Sequence, residues 1–574
     1  MIKAFWTWNP VCSGEFRRFD EPYMLHHNSW LFDKNVWRET LRKMADFGFN
    51  AMIFANTHPF PFMIQYNRFP EAAMLDDAEL ARYREAYQWI FREARSCGID
   101  PYLLFFSVYY SEPFLDHLGL YDRAAYAASD LAIDYTRYCV EETLKTYPDL
   151  AGIVGEASEN ISGSRGVFLR EAIVRPFEQH AAGKKLILRG WWSDRDELRR
   201  EVIDQAHVPI TFSVKYTWEH FVSSNPDPLF TEWVQTAGAE NTMAEFWISN
   251  FEPFTSFAHG TVKDIVGNLN KLGCEGYSLH PLSLYEWPFT SDKCWDYQFD
   301  RDAAYYCAWG GGDAVPPEQK VLFEDEAVMP GLEAASEILK TVALYFAGDK
   351  QNQWHPQFCC VRHADCIRLL TIEDMCQLSS IRSHWSGGMW PPFDSLDWRT
   401  TFTGQPTMHF EDYDTDNTVA YGPVQFIDEM DSLADKAFAA VNAAKGRYES
   451  DGQKCLLMHA EANALLGRFW AERARAALAH IGNDQTSAIG HMQKALDHFK
   501  ELEALEATHR APFRVVTGRC AQANNWDLPR SALEQELNDY TAGVFGKIYR
   551  AGTPEHRDTS YHPRGMFAWY KKQS

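Results

Sequence analysis

The chain has 574 residues, of which 46% are hydrophobic and 23% are charged, as in an ordinary globular protein. A chain of this length holds about two to four domains, and its composition excludes disorder, collagen and coiled coil as descriptions of the whole. The formal net charge of −24 argues against a general binder of nucleic acid or of an anionic membrane, because both partners require a cationic field.

Apolar runs typical of strands alternate with amphipathic helical stretches through the first half of the chain. Repeated strand–helix units imply parallel strands with right-handed crossovers. Eight such units favour a closed (β/α)8 TIM barrel over a doubly wound sheet, and no Gly-x-Gly-x-x-Gly follows the first strand. The predicted strands are 2–8, 49–55, 101–108, 150–154, 185–190, 210–216, 242–248 and 274–279. The predicted helices between them are 37–47, 77–96, 123–146, 167–182, 194–206 and 260–272.

The pattern of predicted secondary structure changes after residue 312. Long helical stretches follow with few strand signals, at 327–347, 424–450, 455–481 and 484–504. We therefore predict a catalytic barrel over 1–312 and a mainly α-helical C-terminal domain over 313–574. The apolar faces of these helices could form a homodimer interface or simply a core.

The N-terminal stretch lacks the apolar segment of a signal peptide. No window approaches the roughly 18 uncharged apolar residues of a membrane span. With the 12 cysteines scattered along the chain, these features predict a cytoplasmic protein with reduced thiols and no membrane association.

One cysteine-rich segment, with Cys359, Cys360, His363 and Cys366, raises the question of zinc. Its spacing lacks the paired arrangement of common structural sites, so cysteines in a helix core are the favoured interpretation. The sequence predicts neither a metal nor a cofactor.

The active site of such a barrel lies at the carboxyl ends of its strands. Glu156 and Glu159 follow strand four, Glu219 follows strand six, and Glu245 lies on strand seven. Carboxylates at these positions, with tryptophans nearby, suggest glycoside hydrolysis. In that reaction a carboxylic acid protonates the leaving oxygen, and a second carboxylate activates water or attacks the anomeric carbon of the sugar. A single Glu at a strand end can equally be a structural salt-bridge partner. Glu156 and Glu159 would face opposite ways in a continuing strand, so one of them is expected in the pocket.

Two cations, Arg189 and Lys215, end strands five and six. They could neutralise the acids, or they could bind an anionic group of the substrate, which would suit a uronic acid. Further candidates for substrate binding, with a core or structural role as the alternative, are Tyr216, Trp191, Trp192, Trp218, Trp247, His280 and His58.

Several segments also resemble, in chain order, motifs of the glycoside hydrolase family 67 α-glucuronidases. They include YPDLAGIVGEASEN at 147–160, LRGW at 188–191, SVKY at 213–216 and NTMAEFWI at 241–248. The resemblance runs over about residues 40–310 and is that of a remote relative.

The resemblance implies a metal-free, inverting enzyme that releases a uronic acid from oligosaccharides. It implies Glu159 as general acid, Glu245 as one of two base carboxylates, and Arg189 and Lys215 as ligands of the uronate carboxylate. The other family base, an aspartate, is absent as such, and Glu219 lies one position early. The family lysine before the acid is Gly155 here, and the family N-terminal β-domain is missing.

Three alternatives stay open. One is a retaining glycosidase for a different sugar, with Glu159 or Glu156 as acid/base and Glu245 as nucleophile. Carboxyl groups about 6.5–9.5 Å apart indicate inversion, and about 5–5.5 Å indicates retention. The second is a non-glycosidase barrel enzyme, such as an isomerase or a metal-dependent lyase. The third is a sugar-binding protein without catalysis.

Overall fold

The structure of the protein is a computed structural model. It describes residues 1–8, 29–56, 58–107, 110–119, 129–157, 163–190, 193–217, 221–248, 251, 253–283, 287–346, 354–363, 366–377, 398–414, 416–417, 419–511 and 526–551.

Eight parallel strands close into a barrel in chain order, and the last strand pairs with the first. This confirms the predicted (β/α)8 barrel. The strands are β1 (Ile2–Trp8), β2 (Ala51–Asn56), β3 (Asp100–Phe106), β4 (Gly152–Glu156), β5 (Lys185–Arg189), β6 (Ile210–Lys215), β7 (Thr242–Phe246) and β8 (Gly276–Leu279).

Side chains alternate strictly between the inside and the outside of this barrel, as the strand period of two requires. On β7, Met243 lies in the inner cluster while Ala244 and Phe246 pack outward against the helices. The inner cluster is apolar around the barrel axis and includes Ala4, Trp6, Ile53, Leu104, Val154 and Ile187. The last inward position on several strands is polar, so the apolar filling ends where the carboxyl end of the barrel begins.

Several of the surrounding helices begin with side chains that satisfy the free backbone N–H groups of the first turn. Asp33, Asp76, Ser129 and Asp194 each accept such a bond. The helices are α1 (Lys34–Asp46), α2 (Asp77–Ser96), α3 (Glu112–Leu118), α4 (Asp130–Thr146), α5 (Arg165–Leu169), α6 (Arg175–His180), α7 (Arg195–Glu201), α8 (Pro228–Ala237), α9 (His259–Leu272), α10 (Gln298–Arg301) and α11 (Ala303–Gly310). The π-turn Arg170–Val174 joins α5 to α6.

The end of α1 packs tightly against the end of α11, the last helix of the barrel. Gly48 has a φ of +91°, and a Cβ there would meet the carbonyl oxygen of Gly310 at 2.4 Å. A side chain at either glycine would therefore push α11 away from the end of α1.

Long helices dominate the C-terminal region, as predicted. The described helices of this region, long and short, are α12 (Pro317–Phe323), α13 (Met329–Phe346), α14 (Ile372–Met375), α15 (Trp398–Thr403), α16 (Pro423–Ala444), α17 (Asp451–Ile481), α18 (Gln485–His509) and α19 (Asp527–Thr541). Helices α13, α16, α17 and α18 build a large apolar core of their own. Among the described helices, none is both long enough and apolar enough to cross a bilayer.

The cysteine-rich segment is where the predicted secondary structure is wrong. Instead of a helix, the residues form a three-stranded antiparallel sheet of β9 (Trp354–His355), β10 (Cys360–His363) and β11 (Cys366–Leu369). Cys359 and Cys360 are buried, and their thiols contact the carbonyl oxygens of Leu370 and Phe358. Short antiparallel strands have no helical period, so apolar residues alone could not distinguish the two structures.

Candidate active site

A buried ion-pair network lies at the carboxyl end of the barrel. The Arg189 guanidinium donates from Nε and Nη2 to the two carboxylate oxygens of Glu245, at 2.8 and 2.6 Å. Its Nη1 donates to Glu156. All three residues are at most 2% exposed, so one cation bridges two carboxylates away from water. We call Glu156, Arg189, Lys215, Glu245 and His280 the mouth cluster.

The strand register explains why these residues meet. Lys215 of β6 is directly opposite Glu245 of β7, and Glu245 is in turn opposite Ser278 of β8. Arg189 ends β5 opposite Ser213, whose hydroxyl donates to Glu245 at 3.2 Å. Because parallel strands of a closed barrel end at one rim, residues at these sequence positions converge on the barrel axis.

The electrostatics of the mouth cluster favour an ionised Glu245. Burial alone would raise the pKa of this carboxyl, but the Arg189 guanidinium outweighs it and holds the pKa well below its usual range. The same pairing raises the pKa of Arg189 against the effect of burial. Glu245 is therefore a fixed anion at neutral pH, which suits a base or nucleophile and not a proton donor.

A stack of three aromatic rings forms one side of the mouth cluster. The His280 ring lies between Trp6 and Trp247, with centroid distances of 3.9 and 4.1 Å. His280 Nε2 is 3.8 Å from Glu245, beyond hydrogen-bonding distance. Burial lowers the pKa of His280 to about 4, so the ring is neutral at physiological pH. Lys215 Nζ lies 5.1 Å from the Trp247 ring, within cation–π range.

Two predicted substrate-binding residues lie outside this cluster. Tyr216 points to the outer face of the barrel, packs on Phe230, and donates its hydroxyl to the Ser224 carbonyl. His58 packs against Phe60 and α4, with Nε2 3.3 Å from the Tyr135 hydroxyl. The alternation of side chains along a strand places Tyr216 on the outer face of the barrel, and the packing of α4 places His58 beside Tyr135.

Five other predicted site residues lie outside the described part of the chain, and their roles stay predictions. They are Glu159, Glu219, Trp191, Trp192 and Trp218. The preference for Glu159 over Glu156 as the acid is therefore untested. What the structure adds is that Glu156 is the residue at the end of β4 that faces the barrel axis.

Gly155 limits how far the family 67 resemblance can be carried onto the site. A Cβ at Gly155 would lie 2.9 Å from Ile173 and 3.2 Å from Leu188, both in the outer core. A lysine at this position would point into that core and away from the mouth cluster. The family 67 lysine that binds the substrate carboxylate therefore has no counterpart at Gly155.

Sequence reasoning missed Trp6 and Ser213. Trp6 stacks on His280, and its ring lies 5.5 Å from the Arg189 guanidinium carbon. The signal was present, because strand alternation places Trp6 inside the barrel once Ala4 is inside. Ser213 lies two residues before Lys215 and shares its face by the same rule.

No protein-family model matches the chain, and no curated protein matches it. The chain is similar to a solved glycoside hydrolase of family 138 described as targeting pectin rhamnogalacturonan II. That likeness has a TM-score of 0.75 and 17% identity, and covers 94% of this chain and 67% of that one. A family 89 glycoside hydrolase from Clostridium perfringens is similar at a TM-score of 0.44 and 10% identity, covering 100% of this chain and 63% of that one. The family 138 likeness shows that both chains share the barrel and helical fold.

Proposed function

We propose that the protein is a glycoside hydrolase whose active site is the mouth cluster, and that it releases an acidic sugar from oligosaccharides. The observation that carries this proposal is the buried Glu156–Arg189–Glu245 array at the carboxyl ends of three barrel strands. Two carboxylates in this place are what glycoside hydrolysis requires. The fold shared with a family 138 glycoside hydrolase supports the same class of reaction.

Glu245 acts as the base or the nucleophile in this proposal. Its low pKa keeps it charged, and Arg189 fixes both of its oxygens. The proton for the leaving group then comes from another carboxyl, either Glu156 or Glu159. Glu219 remains the alternative base, as the sequence predicts.

Lys215 is the better candidate for binding the carboxylate of the sugar. Three of the five N–H groups of Arg189 already bond to Glu245 and Glu156. Lys215 and Trp247 are the more exposed members of the site, at 7% and 8%, and they lie side by side. A uronic acid stacked on Trp247 would bring its carboxylate to the Lys215 ammonium. Arg189 would then act mainly by keeping Glu245 charged.

The proposed substrate class follows from the Lys215 cation and from the similarity to the family 138 enzyme. Pectins are acidic polysaccharides, and the family 138 enzyme is described as targeting one of them. A uronic acid linked to a pectin-type or xylan-type oligosaccharide is the proposed substrate. The finer assignment, an inverting α-glucuronidase, rests on the family 67 resemblance.

Proton NMR during hydrolysis tests this function. Purified protein is incubated with pectin-derived and aldouronic xylo-oligosaccharides, and the same substrates as methyl esters are the matched control. We expect free uronic acid from the acidic substrates and a much slower reaction of the neutral esters. The first anomer to form distinguishes inversion from retention. If neither acidic substrate releases sugar, the proposal is wrong for the uronic acid. If a broad panel of neutral glycosides is also inert, glycoside hydrolysis itself is excluded.

A further inference from the structure

A second buried cluster of polar side chains lies between the loop after β8 and the C-terminal helices, and it shares no residue with the mouth cluster. Asp292, Cys455 and His459 each present one ligand atom here, and these three atoms lie within 4.8 Å of one another. All three residues are buried, and His459 and Asp292 are at most 3% exposed. Cys294, two residues after Asp292, lies beside Cys455 and interacts with its thiol.

We infer that Asp292, Cys455 and His459, completed by Cys294, form a structural zinc-binding site that fastens the loop after β8 to helix α17. The ligand types are those that zinc prefers, namely thiolate, imidazole and carboxylate. Cys455 and His459 are four residues apart on one helix, so they face the same way. Asp292 and Cys294 are two apart in the loop that faces this helix.

Buried polar atoms without a hydrogen bond are the second observation. Among the described residues, neither ring nitrogen of His459 has a hydrogen-bond partner, nor does Asp292 Oδ1. His459 Nε2 and Asp292 Oδ1 are 3.3 Å apart, within ion-pair distance but not aligned as a hydrogen bond. Buried polar groups are nearly always satisfied, so orphan atoms grouped at one point indicate a missing bound species.

The distances suit a zinc ion with little rearrangement. Zinc–ligand bonds of about 2.0–2.3 Å in a tetrahedron place the ligand atoms about 3.3–3.8 Å apart. The His459–Asp292 pair already has this separation. The other distances among the ligand atoms of Asp292, Cys455 and His459 are at most 4.8 Å, so these atoms need shifts of about 1 Å, which rotation of the Cys455 thiol supplies. The Cys294 thiol has to move in from outside this group.

The loop that carries Asp292 is held firmly in place by the end of α18. The Lys293 N–H donates to the His509 carbonyl at 2.9 Å, and the Ala511 N–H donates to the Ser291 carbonyl at 2.8 Å. The other oxygen of Asp292 accepts from Thr290 at 2.9 Å and from Arg301 at 3.1 Å. This fixed orientation turns Oδ1 toward His459, as a preorganised ligand requires.

The charge around the cluster is compatible with a zinc ion. Two buried cations, Arg301 and Arg510, already approach Asp292. A zinc ion held by two thiolates and a neutral imidazole adds no net charge to the pocket. Arg510 is also paired with Glu506, at 3.4 Å.

Metal analysis of the full chain, purified without chelator from zinc-supplemented cells, tests the site. We expect about one zinc per chain. Cys455→Ser and His459→Asn should each lose most of this metal. Cys307→Ser is the matched control, because it removes a buried thiol from α11 and should keep the full zinc content.

Cobalt spectroscopy tests the same claim in the unaltered protein, so that misfolding of a variant cannot obscure the answer. Chelator-treated protein is titrated with Co²⁺, and we expect a thiolate-to-cobalt charge-transfer band that saturates at one equivalent and that Zn²⁺ displaces. Absence of this band, or the absence of stoichiometric metal in the purified chain, overturns the proposal in favour of an ion pair. A Cys294–Cys455 disulfide in protein purified without reductant overturns it as well.

Discussion

Two buried arginines, Arg189 and Arg301, each bind two carboxylates through the same set of guanidinium nitrogens, in different regions of the molecule. Arg189 binds Glu245 through Nε and Nη2 and Glu156 through Nη1. Arg301 binds Asp302 through Nε and Nη2, both at 2.8 Å, and Asp292 through Nη1 at 3.1 Å. Each guanidinium therefore bridges two carboxylates out of contact with water.

The surroundings separate the two arginines. Arg189 ends a barrel strand, beside an aromatic stack and a second cation, where a sugar can be bound and its bond cleaved. Arg301 lies in α10 and bonds to Ser283 and to the Pro253 carbonyl, so it fastens α10 to the segments that follow β8 and β7. A buried ion pair is therefore not by itself a sign of an active site. Position at the carboxyl end of the strands gives the first one its proposed chemistry.

Replacing Arg189 by Met should have the largest effect, because it affects both stability and activity. Two buried carboxylates lose their cation, which costs about 3–5 kcal/mol. Glu245 would also gain a proton more readily, so uronic acid release should fall by at least about 100-fold. Urea unfolding followed by tryptophan fluorescence and a rate assay on folded protein measure the two effects. A folded Arg189→Met protein with a normal rate would remove Arg189 and Glu245 from the mechanism.

Replacing Arg301 by Met should cost stability alone. Asp292 and Asp302 lose the same kind of partner, so the expected loss is again about 3–5 kcal/mol. The rate per folded molecule should stay within about threefold of wild type, since the hydrogen bonds of Arg301 reach no residue of the mouth cluster. The same two assays measure it. A large loss of rate in fully folded protein would show that the two networks are coupled.

The contrast also shows what the sequence could and could not predict. The alternating apolar runs predict the barrel, since Ile2–Trp8 and Asp77–Ser96 have the bounds expected of them. The sequence also predicts that Glu156, Arg189, Lys215 and Glu245 lie close together. They end consecutive strands, and in a closed barrel consecutive strands are neighbours in space.

Other contacts could not be foreseen in this way. The pairing of Arg189 with both acids depends on side-chain rotamers and on register, which the sequence does not state. Asp292 meets His459 only because the loop after β8 packs on a helix more than 150 residues later. Contacts between regions so distant in the chain carry no local periodic signal.

The pH dependence of stability should reveal the buried, neutral His280. Its pKa in the folded protein is about 4, against 6.5 for an ordinary histidine, because burial disfavours the charged form. The unfolded chain therefore binds the extra proton between these values. The contribution of His280 to the free energy of unfolding is therefore fully present above about pH 6.5 and is lost as the pH falls toward 4.

Between pH 7 and pH 5 this loss amounts to about 2 kcal/mol from His280. We expect the unfolding free energy of His280→Gln to fall by about that much less than that of wild type over the same interval. Urea titrations at the two pH values measure the difference. Identical slopes for the two proteins would show that His280 is charged or exposed in the folded state.

The smallest effect is expected at the opposite end of the barrel. Glu275 precedes β8 and pairs with Lys185 at the start of β5, in a partly exposed ion pair. Glu275→Gln should change the unfolding free energy by less than about 1 kcal/mol and the rate by less than about twofold. Thermal unfolding and the rate assay check this. A large loss of activity would mean that the carboxyl end of the barrel has no special role.

The most direct test of the account compares Glu245→Gln with Glu275→Gln in the same hydrolysis assay. Both substitutions remove one carboxylate charge from an ion pair on the same barrel, at opposite ends of its strands. With both proteins shown to be folded, we predict that release of the acidic sugar falls by about 10²–10⁴-fold in Glu245→Gln and stays near wild type in Glu275→Gln. Equal rates for the two variants would contradict the assignment of the mouth cluster as the active site.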